Sequence, residues 1–272
     1  YNLLGKILFY TVKTKIIEGS VIVNQWLQGD ERMDQLLSHN LSIIQSPSVF
    51  SFSLDAVLLA DFAQPAKHNR AKVVDLCAGN GVVGLLLSQK TSSPIIGIEI
   101  QERLVGMAKR TIQLNELEHQ VSILHGNLSD ATKWIQKDTV DTVTCNPPYF
   151  AVGEKSIKNP NSHLAIARHE LHTNLDEVMK VSSDLLKMNG KAYFVHRPDR
   201  LIEILETMKK HRIAPKKMRL VYPKVGKEAN TLLIEGIKDG KDTGFRVLPP
   251  LFVYSEDNNY LPEVSAMLHG IR

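Results

Sequence analysis

Val73-Val74-Asp75-Leu76-Cys77-Ala78-Gly79-Asn80-Gly81-Val82-Val83-Gly84 is the stretch that decides the fold. A short apolar strand carrying one acid runs into a glycine-bearing turn, and the turn opens an apolar helix. Glycines at such a junction let the backbone come close to a ligand. The order is Asp-x-x-x-Gly-x-Gly, although Gly79, Gly81 and Gly84 also satisfy the Gly-x-Gly-x-x-Gly spacing of dinucleotide sites, a weakly specific pattern by itself. Asp75 separates the two readings, because its carboxylate would repel a pyrophosphate and would face a cationic amino-acid group well. Ile95-Ile96-Gly97-Ile98-Glu99 is a second buried strand ending in an acid. Glu99 is placed to accept hydrogen bonds from both hydroxyls of a ribose; the plainer alternative is an ordinary acid at a strand end.

Further along, Thr139-Val140-Asp141-Thr142-Val143-Thr144-Cys145 alternates and is rich in β-formers. It reads as a strand that delivers Asn146-Pro147-Pro148-Tyr149 to the sheet edge where open α/β folds bind ligands. A carboxamide, two prolines and an aromatic make a clamp for a planar, nitrogen-bearing group, which points to methyl transfer onto an amino nitrogen. The prolines lack N–H donors and restrict the backbone, so their carbonyls are fixed acceptors aimed outward. The Asn146 side-chain carbonyl and the Pro147 backbone carbonyl would accept both hydrogens of an exocyclic amine and aim its lone pair, and Tyr149 would stack on the base. The alternative is an Asn-Pro-Pro turn that only terminates a strand.

Together these three motifs resemble the class I S-adenosylmethionine-dependent methyltransferases, from about residue 40 to the C-terminus. More finely, Phe50-Ser51-Phe52-Ser53-Leu54-Asp55-Ala56-Val57-Leu58-Leu59 and His196-Arg197-Pro198-Asp199-Arg200-Leu201 are similar to the bacterial tRNA (adenine-N6) methyltransferases that act beside the anticodon of a valine tRNA. The resemblance implies a doubly wound, Rossmann-like α/β fold with a mostly parallel seven-stranded sheet and an antiparallel C-terminal hairpin. It implies S-adenosylmethionine held by Asp75, Cys77, Gly79, Gly81, Glu99, Asn127 and Asn146. Catalysis would fall to Asn146, Pro147 and Tyr149, with a tRNA as partner and no metal. One departure stands out: the family's third strand is usually followed by Gly-Asp, whose acid reads the cofactor adenine, and here the pair is Gly126-Asn127. The Asn127 carbonyl is left to accept from the adenine amino group. The same clamp also suits protein glutamine N5-methylation, guanine-N2 methylation of rRNA and DNA adenine methylation. A cofactor- or RNA-binding protein without catalysis is the reading from another class.

The βαβα alternation itself implies a parallel, doubly wound sheet, with strands near residues 73, 95, 121 and 140 and helices over 82–90, 101–116 and 129–136. A helix over 174–188, a fifth strand over 191–195, a helix over 200–211 and two β-rich runs at 216–222 and 231–237 follow. Residues 33–70 read as cap helices, one of them at Asp34-Gln35-Leu36-Leu37 and one led by Leu54, with a short strand near Leu41-Ser42-Ile43-Ile44. Residues 71–272 then form the methyltransferase domain. Residues 1–32, with the apolar run Leu3–Tyr10, match nothing in the family pattern and read as an N-terminal extension of uncertain origin, too short in its apolar part for a signal peptide. The loop Phe150–Thr173 carries His163, Arg168, His169 and His172, whose spacing fits no common metal pattern.

Two cysteines in predicted buried elements, Cys77 and Cys145, exclude a disulfide scaffold and fit a reducing, cytoplasmic setting. No apolar stretch approaches the ~20 residues that span a bilayer. The formal net charge is only +4, yet residues 197–227 hold ten basic residues against three acids, a net +7. That concentration reads as a phosphate-binding face, with Arg197, Arg200, Lys216, Lys217 and Arg219 as its RNA contacts; the bland alternative is a solvated lysine-rich surface.

Overall fold

The computed structural model describes residues 25–49, 52–68, 70–148 and 173–269. Tyr149, the loop histidines and residues 1–24 lie outside them. The described chain opens with a two-stranded antiparallel hairpin, β1 (Arg32–Leu36) and β2 (Leu41–Gln45), in the register Leu36↔Leu41. The helix expected at Asp34–Leu37 is therefore a strand through Leu36, and Leu37 begins a single 3-10 turn (Leu37–His39). Asp34 and Leu36 point inward and their neighbours do not, a period of two that four residues cannot distinguish from a helical face. Asn40 makes the reversal in a left-handed conformation (φ 53°). Helix α1 (Leu54–Phe62) is the one cap helix among the described residues of 33–70.

The doubly wound part follows as β3 (Val73–Leu76), α2 (Val82–Ser88), β4 (Ile95–Glu99), α3 (Glu102–Leu114), β5 (Val121–His125), α4 (Ala131–Trp134) and β6 (Val140–Cys145). Then come α5 (Leu175–Leu185), β7 (Leu186–His196), α6 (Leu201–Lys210), β8 (Ile213–Tyr222), β9 (Thr231–Lys238), β10 (Arg246–Val247), β11 (Leu251–Phe252) and α7 (Pro262–His269). The sheet order is β10-β8-β9-β7-β6-β3-β4-β5, with β11 also pairing with β8. The expected seven strands are all present, and two short ones cover the outer edge of β8. Only β9 runs against the rest, inserted between β7 and β8. β3 and β6 are buried along their whole length, as central parallel strands covered on both faces must be. One core lies between the sheet and α1, α2 and α3, built on residues such as Val73, Ile95, Val121 and Tyr193. The other lies against α4, α5 and α6, around Val74, Leu76, Val143 and Phe194.

The hairpin sits on α3. β2 hands two of its N–H groups to that helix's side chains, Ser42 to Asn115 Oδ1 (2.8 Å) and Ile44 to Thr111 Oγ1 (3.0 Å). Residues just upstream of the hairpin join the same helix: Trp26 and Leu27 pack with Ile44, Val49, Leu104 and Met107. The Glu31 carboxylate accepts two bonds from Arg110 (2.6 and 2.9 Å), and Arg110 also donates to the Trp26 carbonyl. The packing of the domain thus reaches upstream of the boundary drawn at residue 32. Arg110→Met, which leaves Glu31 buried without its cation, should lower unfolding free energy by about 3 kcal/mol. The double change Glu31→Leu, Arg110→Met should recover most of it; urea titration checks both, and equal losses in the two variants would rule out the ion pair as the cause.

Candidate active site

Every predicted site residue between Asp75 and Asn146 that the structure describes lies at the C-terminal ends of the parallel strands or in the loops that follow them. The strand order sets them in a row: Asn127 follows β5, Glu99 ends β4, Asp75 lies in β3, and Asn146 follows β6. With neighbouring strands ~4.8 Å apart, the row spans roughly 15 Å. Between β3 and α2 the chain turns through left-handed Cys77 (φ 56°), Gly79 (57°) and Gly81 (84°). A Cβ on Gly81 would meet the Ala108 Cβ of α3 at 3.3 Å, so the second glycine is needed for its φ and for this close approach. Glu99 fastens the turn: Oε2 accepts the Gly79 N–H and Oε1 the Gln101 N–H, both at 2.8 Å. Burial pushes its carboxyl above the usual carboxylate range, against the pull of these backbone donors. The Ile100 N–H is a third backbone donor to this carboxylate, which still has acceptor capacity for a ligand hydroxyl.

Asp75 is 1% exposed. Its Oδ1 accepts from the Thr144 hydroxyl at 2.7 Å, and its Oδ2 has no hydrogen-bond partner among the described residues. Desolvation raises its pKa to about 7, opposed by Thr144 and reinforced by the nearby Glu99 charge. Thr144 was not singled out from sequence, although strand alternation places it on the same sheet face as Asp75, two residues before Asn146. Cys145 is fully buried against Cys77, and burial first, then that contact, pushes its thiol up, so Cys145 is not arranged as a nucleophile. Asn146 is half-buried and Pro147 buried. Asn127 spends one lone pair of its Oδ1 capping the following turn, at 3.0 Å from the Ser129 nitrogen. The Trp134 ring lies against Gly126, leaving no room there for any side chain; sequence reading passed it over because four residues of helix carry no periodicity.

The basic stretch is not one face. Helix α6 carries the chain from the Asn146 edge to the far edge and β8, parallel to β7, brings it back, so Lys209, Lys210, Arg212 and Lys216 lie toward the far edge, whereas Arg197, Arg200 and the β8–β9 turn with Lys224 and Lys227 lie at the edge that carries Asn146. Lys217, half-buried, is held in an ion pair with the buried Glu235 (2.7 Å) and lies over the Phe62 ring. Arg219 forks onto Glu263 (2.6 and 3.0 Å), and Arg200 onto Glu203 (2.8 and 2.5 Å). Lys216 donates to the Lys241 and Thr243 carbonyls. Sequence composition counts charges and cannot show which are already paired. Among the described residues no group of three or more His, Cys, Asp or Glu could hold a metal ion, and no helix is long and apolar enough to cross a membrane.

Asp75 carries a stability signature. Its carboxyl titrates near 7 in the folded chain and near 3.9 when unfolded, so the stability it contributes is whole below about pH 4 and is lost as pH rises toward and through 7. Asp75→Asn should therefore match the parent near pH 4 and exceed it by roughly 4 kcal/mol at pH 8. Denaturant unfolding at several pH values checks this; a difference independent of pH would contradict it.

The methyltransferase small domain family (MTS) matches residues 40–211 of this chain. Among curated relatives, the tRNA1(Val) (adenine(37)-N6)-methyltransferase of Bacteroides fragilis (strain YCH46) is 28% identical over 186 residues, covering 66% of this chain and 74% of the relative. The protein of the same name from Actinobacillus succinogenes is 26% identical, covering 77% and 84%. Among solved structures, a predicted O-methyltransferase from Agrobacterium tumefaciens superposes with a TM-score of 0.61 at 19% identity, over 79% of this chain and 96% of that one. P. horikoshii TYW2 in complex with MeSAdo gives 0.54 at 13%, over 78% and 73%. These structural likenesses are likenesses of fold. The match across 40–211 takes in the Asp75 turn, Glu99 and Asn146 alike, and the chain belongs to the methyltransferase small domain family.

Proposed function

We propose that this chain transfers a methyl group from S-adenosylmethionine to the N6 amino group of a tRNA adenine, in the anticodon loop of a valine tRNA and hence in the cytoplasm. The observation that carries the reading is the row Asn127, Glu99, Asp75, Asn146 on successive strands of one sheet edge. The residues fit the methyl donor. Asp75 Oδ2, a buried acceptor with no donor opposite, suits the ammonium of its amino-acid end. Glu99 suits the ribose hydroxyls, and the Gly79–Gly81 turn lets the backbone come close. Asn127, with its remaining lone pair and its amide hydrogens, suits the adenine edge. S-adenosylmethionine supplies a methyl already made electrophilic by the sulfonium, and a neutral thioether leaves. The protein's task is the acceptor. The Asn146 side-chain carbonyl and the Pro147 carbonyl accept both amino hydrogens, favour a pyramidal nitrogen and stabilise the positive charge that develops only in the transition state. Tyr149, the next aromatic, would stack on the extruded base. Support for adenine in tRNA, over glutamine or guanine, comes from the names of the curated relatives.

The wild-type protein, given unmodified tRNA, rRNA, DNA and a release factor with labelled methyl donor, should place label in N6-methyladenine of tRNA. Label in protein glutamine or in guanine, with none in tRNA adenine, would overturn the assignment. Asn146→Ala should lower kcat by about 10²–10³ while leaving donor affinity within about threefold.

For RNA binding we favour Arg197, Lys224 and Lys227 at the catalytic edge over Lys217 and Arg219, whose charges are neutralised by Glu235 and Glu263; the Lys224 ammonium donates to the Glu256 carbonyl, which leaves its charge uncancelled. Val225, 75% exposed, forms the tip of the turn between the two lysines. Charge reversal at Arg197, Lys224 and Lys227 should weaken tRNA binding and reduce the slope of log affinity against log salt by about 0.7–0.9 per lost contact. Reversal at Lys209 and Arg212 should change neither. Lys217→Glu should lower thermal stability first, because it buries two like charges. An equal effect from the near and far edges would refute the placement.

A further inference from the structure

The Thr144 hydroxyl, the one donor to the Asp75 carboxylate among the described residues, has a role that the clamp and cofactor residues leave unassigned. We propose that Thr144 is a positioning residue for the methyl donor: by holding Asp75 Oδ1 it fixes the carboxylate plane and leaves Oδ2 directed to the donor's ammonium. The inference rests on S-adenosylmethionine being the donor.

Three observations support it. First, the bond joins the two strands that carry the donor and acceptor sites. Asp75 and Thr144 are register partners across β3 and β6, at 2.7 Å, with exposures of 1% and 0%. Second, the surroundings offer Asp75 no substitute. Its register partner on β4 is Gly97, which has no side chain to donate; a Cβ there would lie 3.0 Å from Ala78 Cβ. Beyond Thr144 the next residue in the row is Tyr193, whose hydroxyl donates to the Gln64 carbonyl. The charged and titratable groups that act on Asp75 are Glu99 from β4, which repels its negative charge, and the Cys145 thiol of β6. No cation pairs with it among the described residues. Third, the arrangement is costly to the empty fold. A buried carboxylate half satisfied by one neutral hydroxyl is worse than an apolar pair of the same shape, so stability alone gives no reason to keep it. A ligand cation supplies the missing partner.

The test compares two probes that differ at the amino-acid end. S-adenosylhomocysteine carries the ammonium; methylthioadenosine has the same adenosine and thioether and lacks it. Both are titrated calorimetrically into the wild-type full-length protein, Thr144→Val and Thr144→Ser at pH 7.5, with melting curves for each variant. Thr144→Val should weaken S-adenosylhomocysteine about tenfold, the scale of one charge-assisted contact, and leave methylthioadenosine unchanged. Thr144→Ser should stay within about twofold of the wild type for both, since the hydroxyl is kept. In turnover, Thr144→Val should raise KM for the donor with kcat nearly constant. Its affinity for S-adenosylhomocysteine should also recover as pH rises, because Asp75 without its donor holds its proton to higher pH. Equal weakening of both probes, or no weakening of either, would overturn the inference. If Thr144→Val does not fold, Thr144→Ala takes its place with the same expectations. Failure of the wild-type protein to bind either probe would instead overturn the proposed donor, a separable result.

Discussion

Glu99 is the carboxylate on which the site depends. Its two oxygens take one N–H from each of the loops that follow β3 and β4, so a single side chain sets the distance between the glycine turn and the start of α3. The glycine turn needs this help. It passes through three left-handed residues, one of them the non-glycine Cys77, a conformation that local energetics alone would not hold. The same turn is gripped on its far side by the hairpin, through the Asn80 amide and the Ile44 carbonyl at 3.3 Å. The hairpin in turn is bound to α3, and α3 begins beside Glu99. The elements around the proposed donor site therefore form a closed ring of constraints, in which the N-terminal hairpin is a structural member and not an appendage.

A second consequence of the topology is a buried polar row across one face of the sheet. By register it runs from Asp75 in β3 through Thr144 in β6 and Tyr193 in β7 to Glu235 in β9 and Lys217 in β8. Glu235 and Lys217 neutralise one another at one end. Asp75 has no such counter-charge at the other among the described residues, and burial, reinforced by the Glu99 charge, raises its carboxyl to about 7. Burial, followed by the Glu235 charge, also pushes the Tyr193 phenol up, so that it stays a neutral donor to Gln64. Lys217, counted from sequence as a surface cation, is thus part of the interior electrostatics.

The doubly wound core was legible because its signals are redundant. Val73–Gly84 states a strand, a turn and a helix in consecutive residues, and the apolar runs of β4, β5 and β6 repeat the first half of that statement at even intervals. The Asp75, Glu99 and Asn146 positions followed, since a residue at the end of a parallel strand can only be at the ligand edge. What failed to show lacks local signal. The strand at Arg32–Leu36 is defined by its partner and by α3, both far along the chain. The descent of α6 and the return of β8 divide the basic stretch between two edges, and no count of charges contains that division. Thr144 looks like any β-branched strand former until the register sets it opposite Asp75. Asn127 was read as a ligand contact, and in the fold it first serves as a cap.

The outer margin of the sheet shows how this chain manages an exposed strand. β10 and β11 pair with β8 only at Lys217–Met218 and Val221–Tyr222, so the first residues of β8 have no strand beyond them. That portion carries Pro215, which has no N–H to offer, an irregularity in the ladder between Pro215 and Lys217, and Lys216, whose ammonium is tied to the Lys241 and Thr243 carbonyls. Each of these discourages another chain from adding a strand. The margin is thereby closed to the edge-to-edge association that leads to aggregates, and the residues that close it include a lysine whose charge could be mistaken for a binding function.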